Sequence, residues 1–158
     1  MTIDNFKELL DGFDPSALLP EMDTVTGAIV PIVRVAVLAG PIVLLVLGLV
    51  YLFLAPKEAN YYVGYRCYYG MGSEEAWRFT QQLAGIVLGA LGFVLTVVMG
   101  LLSMGFGQLP VTDMLGRAVS CVLWEAGLVA AACLGINIMV SLRFNEKGIP
   151  RKKSASRR

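Results

Sequence analysis

The sequence predicts an all-α integral membrane protein with three transmembrane helices. Phe79 to Thr112 is a run of 34 consecutive residues without a charge. The composition is 56% hydrophobic and 16% charged, against roughly 25% charged in ordinary soluble domains. Three apolar stretches reach the length of about 20 residues that a helix needs to cross the hydrocarbon core. Hydrocarbon offers the backbone no partner, so each span must satisfy its own hydrogen bonds, which a helix does.

Residues 1–27 read as an acidic, amphipathic segment. Ile3, Phe6, Leu9, Leu10 and Phe13 fall at helical spacing, with Asp4, Lys7, Glu8 and Asp11 on the other side. Asp14-Pro15 resembles an N-cap followed by proline at the first helical position, starting a second short helix. Membrane-surface helices are usually basic on the polar face, so this acidic one is expected against the protein's own outer rim. Met-Thr-Ile-Asp-Asn-Phe-Lys-Glu lacks a basic leader before an apolar core, which argues against a cleaved signal peptide.

Residues 28–142 form the membrane domain, with spans at about 31–55, 83–106 and 118–142. The first begins near Pro31 and contains Pro41, which removes a backbone donor and invites a kink at Ala39-Gly40. In the second, Gly85, Gly89, Gly92, Thr96, Gly100 and Ser103 recur every three or four residues and make a stripe of small side chains. Such a stripe lets another membrane helix approach closely. The third span, with Ala130, Ala131, Cys133 and Gly135, is one candidate partner, and a second copy of the chain is the other. Residues 143–158 are a basic tail.

Basic residues flanking the spans set orientation. The loop after span one and the tail carry ten of them, and the other two segments carry three. The C-terminus and the first loop are therefore expected in the cytoplasm, with the acidic N-terminus outside. Two charges fall near the outer edge of the hydrocarbon: Arg34, 20 positions before Leu54, and Glu125, 17 positions before Leu142. At 1.5 Å per residue these lie about 30 and 25 Å from the inner ends of their spans. An intramembrane charge faces a partner or a wet cavity, so Arg34 and Glu125 are expected to pair, unless each snorkels separately to the headgroups.

No histidine is present, and Cys67, Cys121 and Cys133 make an odd count at spacings that fit no disulfide framework or zinc site. With no clustered carboxylates in the spans, no nucleophile-base pair can be assembled. No catalytic residue, cofactor or metal site is expected, and the chain is read as non-enzymatic. The run Arg151-Lys152-Lys153 suits a topology anchor or anionic headgroups. Without a folded basic module, direct nucleic-acid binding is not expected.

The connection between spans one and two is the distinctive segment. Asn60 is followed by Gly64-Tyr65-Arg66, then Ser73-Glu74-Glu75-Ala76-Trp77, then Thr80 and Ala84-Gly85, with five tyrosines in the loop. Gly64 permits a turn or a close backbone approach. Ser73 reads as an N-cap, and Glu74 and Glu75 suit the first turn of the helix dipole. That helix either runs into the second span or lies flat before it, with Trp77 at headgroup level.

This order of residues resembles the signature loop of the SdpI family, bacterial membrane proteins named for immunity against a sporulation-delaying peptide toxin. Cys67 and Tyr68 stand where the family pattern has threonine, often followed by proline. The resemblance implies a multi-pass protein of the bacterial plasma membrane that neutralises or senses an antimicrobial peptide. It also implies, in some members, signalling to a cytoplasmic transcriptional repressor. Asn60, Gly64, Tyr65, Arg66, Glu74, Glu75, Trp77 and Thr80 would then form the functional edge, with Arg66 donating to an acidic partner or to Glu74 or Glu75. Two other readings stand beside it: a small oligomeric transporter or channel subunit using Glu125, and an accessory scaffold held through the glycine stripe.

Overall fold

The computed structural model describes residues 20–56, 58–59 and 62–151, with side chains from residue 27 onward. Three long helices account for most of it: α1 (Pro20–Phe53), α2 (Glu74–Met104) and α3 (Val111–Arg143). All three are long and apolar enough to cross a membrane. At 1.5 Å per residue each is about 50 Å long, which exceeds the hydrocarbon core of about 30 Å. The amphipathic helix expected within residues 1–19 and the basic run after Arg151 lie outside the described residues.

Helix α1 starts at Pro20 rather than near Pro31, and both Pro31 and Pro41 lie inside it. Helix α2 begins directly at the Ser73 cap, where the Ser73 hydroxyl accepts from the Ala76 amide at 3.1 Å. The residues from Glu74 therefore continue into the second span without a separate interfacial helix. A tight turn, Gly105–Gln108, carries the chain to α3 and buries Phe106.

Large apolar side chains point outward along every helix, among them Phe53 at 77% exposure and Phe93 at 61%. In water such a surface would drive association; in lipid it is the solvated face. Association of the helices rests on close packing rather than on expulsion of water.

The glycine stripe of α2 meets α1, a correction to the expectation that named α3 or a second copy. Gly48 of α1 sits directly over Gly89, and a Cβ on Gly48 would collide with the Gly89 backbone. A Cβ on Gly85 would come within 2.6 Å of Leu52 Cγ, and one on Gly92 within 2.8 Å of Leu45 Cα. Gly100, by contrast, faces open space. Thr96 and Ser103 turn their hydroxyls back onto the Gly92 and Gly100 carbonyls, at 2.7 and 2.8 Å, so neither leaves a polar atom facing lipid.

Arg34 and Glu125 are not brought together. The Arg34 guanidinium donates to the Ser103 and Met104 carbonyls at 2.9 and 3.2 Å. These carbonyls belong to the last turn of α2, where the helix leaves acceptors without intrahelical donors and favours a cation. A nearer set of acceptors thus satisfies the charge. Glu125 instead lies against Gly40, six residues further along α1, or about 9 Å of helix rise.

At the other end, residues 144–151 turn back as a small hairpin. The Arg151 amide donates to the Arg143 carbonyl at 2.8 Å, and Asn145 and Ile149 pair across the turn. Gly148, at φ 67°, packs on Gly72 and Ser73, and the Ser73 hydroxyl donates to the Gly148 carbonyl at 2.7 Å. Arg143 stacks over the Phe79 ring at 4.3 Å.

Gly48→Ala is expected to destabilise the purified protein by about 1–3 kcal/mol, the usual cost of overpacking a filled contact. Gly100→Ala is expected to be neutral or slightly stabilising, because alanine favours the helix and meets nothing. Thermal unfolding of both variants in one detergent checks the pair.

Candidate functional site

The loop between α1 and α2 is not a loose interfacial strand. It wedges between the ends of α2 and α3, and Tyr65 is its pivot. The Tyr65 amide donates to Gln81 Oε1 at 2.8 Å, and Gln81 Nε2 donates to the Tyr65 carbonyl at 2.8 Å. One buried side-chain amide therefore satisfies both polar groups of a non-helical residue. Beyond it, the Tyr65 phenol donates to the Cys133 carbonyl of α3 at 3.2 Å, and Asn137 Nδ2 donates to the phenol oxygen at 3.4 Å. The Tyr51 ring of α1 meets Tyr65 edge-on at 6.4 Å. Tyr65 thus touches all three helices.

Trp77 forms the floor. It is fully buried, and its indole Nε1 donates to the Pro56 carbonyl at 2.8 Å. The ring is enclosed by protein, because the loop folds over it. Gly64 crosses the ring at φ 125°, and a Cβ there would come within 2.7 Å of the indole carbons. Both features require glycine: the left-handed backbone and the absence of a side chain.

Thr80 lies fully buried one turn further, its hydroxyl donating to the Ala76 carbonyl at 2.7 Å. Cys67 Sγ is 3.9 Å from the Thr80 hydroxyl. The turn Tyr69–Met71 passes over this point, with Gly70 pressed onto Thr80. Trp77, Thr80, Gln81 and Ala84 share one face of α2, and the loop is laid along it.

Gly64, Tyr65, Trp77 and Thr80 are therefore gathered into one packed unit. Arg66 is exposed, and among the described residues no carboxylate pairs with it. Glu74 instead pairs with Arg78, one helical turn on, at 3.8 Å, and Glu75 is exposed in the same first turn. Asn60 lies outside the described residues. Sequence reasoning passed over Gln81, the clasp itself. Its signal was an amide at helical spacing from Trp77 within an uncharged span.

Burial pushes the Tyr65 phenol above its ordinary value, and the neighbouring Cys133 side chain adds to the rise. A raised phenol favours the neutral, donating form in the folded state. The stability it contributes is complete below the ordinary pKa of about 10 and is lost as pH rises through the elevated value. Tyr65→Phe should cost about 1 kcal/mol near neutrality and flatten the alkaline fall in melting temperature, as unfolding curves at neutral and alkaline pH will show. Gln81→Leu leaves both polar groups of Tyr65 without their partner and should cost about 1–3 kcal/mol for each group left buried, measured the same way.

Comparison with curated proteins and with solved structures returned no match. The model of the SdpI/YfhL protein family matches residues 57–142, more than half of the 158-residue chain. The match starts with the loop and runs through α2 and nearly all of α3, so it covers the elements that build the Tyr65 clasp. This three-helix, multi-pass membrane protein belongs to the SdpI/YfhL family.

Proposed function

We propose that the protein is a non-enzymatic immunity or sensing factor of the bacterial plasma membrane, directed at an antimicrobial peptide toxin. Membership of the SdpI/YfhL family supports this reading, and Arg66 carries it to a residue. The loop is fixed from beneath by Gln81 and Trp77, yet Arg66 projects from it exposed and unpaired among the described residues. A guanidinium held this way offers a planar fork of donors to a carboxylate on a partner. Tyr62 and Tyr68, 91% and 72% exposed, flank it with amphipathic rings.

The excess of lysine and arginine on the loop and tail supports a cytoplasmic position for them in this reading, with the N-terminus outside. Arg66 then faces the compartment in which a transcriptional repressor could dock when toxin is present. The lipid-facing surfaces leave room for a homo-oligomer. The protein contacts no nucleic acid directly, and any effect on transcription passes through the repressor.

The test is expression in a sensitive bacterium challenged with membrane-active peptides. The wild-type protein should raise survival, and Arg66→Ala should remove that protection while its membrane level stays equal. Equal protection by Arg66→Ala would refute the role of the loop, and failure of the inserted wild type to protect against any peptide would refute immunity.

A further inference from the structure

A cleft of about 500 Å3 opens between α1 and α3, floored by Leu95 of α2. Its wall on α1 is Gly40, Pro41, Val43 and Leu47, and its wall on α3 includes Val122 and Val129. Val43 and Leu47 are 57% and 38% exposed, so the mouth opens sideways, onto lipid. Within this apolar lining stands one ionisable group, Glu125, which is only 7% exposed.

The carboxyl is held but not satisfied. Oε1 is buried with no hydrogen-bond partner. Oε2 lies over Gly40, where a Cβ would come within 2.9 Å of it, so a side chain there would displace the carboxylate end from its present position. Among the described residues no counter-ion reaches it: Arg34 is engaged by the Ser103 and Met104 carbonyls. An unpartnered carboxylate oxygen therefore stands in an apolar cleft whose lining side chains offer it no donor. A charge at this depth is costly without a partner.

We propose that this cleft is a lipid-accessible binding site for a drug-sized hydrophobic amine, with the Glu125 carboxylate as its counter-ion. An ammonium supplies both the charge and the donors that the cleft lacks, and the volume falls within the usual 300–1,000 Å3 of small-molecule sites. Val43, Leu47 and Leu95 contact the apolar body. Selectivity comes from the charged head, since bare apolar surface gains nothing over lipid.

The test uses the full chain purified in a non-ionic detergent, with dodecylamine and dodecan-1-ol as probes at neutral pH. A ligand that binds the folded state raises the melting temperature. Dodecylamine should do so, and dodecan-1-ol at the same concentration should not. The apparent affinity for the amine should fall about tenfold or more in Glu125→Gln, the factor that corresponds to a hydrogen bond to a charged group. Gly40→Ala retains the carboxylate and favours the helix but crowds Oε2, and it should also bind the amine more weakly. It decides the matter if Glu125→Gln does not fold. Equal shifts by amine and alcohol, or an unchanged amine affinity in the folded variants, would overturn the site.

Discussion

A buried peptide group must find a hydrogen-bond partner, and that constraint governs how the loop between α1 and α2 is built. Each amide or carbonyl left buried without a partner costs about 1–3 kcal/mol, so irregular backbone is enclosed by protein only when its polar groups are met there. Gln81 meets that demand by closing on both polar groups of Tyr65. The phenol then anchors the loop to α3 through Cys133 and Asn137. Once the loop is fixed, Trp77 is covered, Gly64 must be glycine, and Arg66 is left at the surface. The exposed residues of the motif are presented by the buried ones.

The three helices are not equal partners. α1 and α2 approach closely at Gly48, where neither helix has a side chain to separate them. Arg34 fastens the same pair at the far end by meeting the last carbonyls of α2. α3 is held differently: by the loop and by Ile136, Val140 and Phe144 at one end, and by Met114 and Ala118 at the other. Between those anchor points it stands away from α1 far enough to leave the cleft containing Glu125. The wedge that secures one end of α3 and the opening at its middle are consistent consequences of one arrangement.

The spans were legible because length and apolarity are properties of each segment alone. The Ser73 cap and the acidic first turn of α2 were legible for the same reason, since both are local. Partner choice was not local. The glycine stripe announced close packing, but only the fold pairs Gly89 with Gly48, a single glycine in an otherwise bulky stretch. Arg34 and Glu125 were matched on axial depth, which ignores direction around the helix and the competing acceptors at the end of α2. The burial of Trp77 was not legible, because it depends on a loop whose path no spacing rule gives. Gln81 escaped notice because its role needs Tyr65, 16 residues away.

The central claim is that the loop backbone at Tyr65 is enclosed and hydrogen-bonded as an integral part of the membrane domain. Amide hydrogen exchange of the protein in a lipid nanodisc tests it most directly. The account predicts that the Tyr65 amide exchanges slowly, close to its clasp partner's own helix, while neighbouring Val63 exchanges freely. Rapid exchange at Tyr65, matching that of Val63, would contradict it.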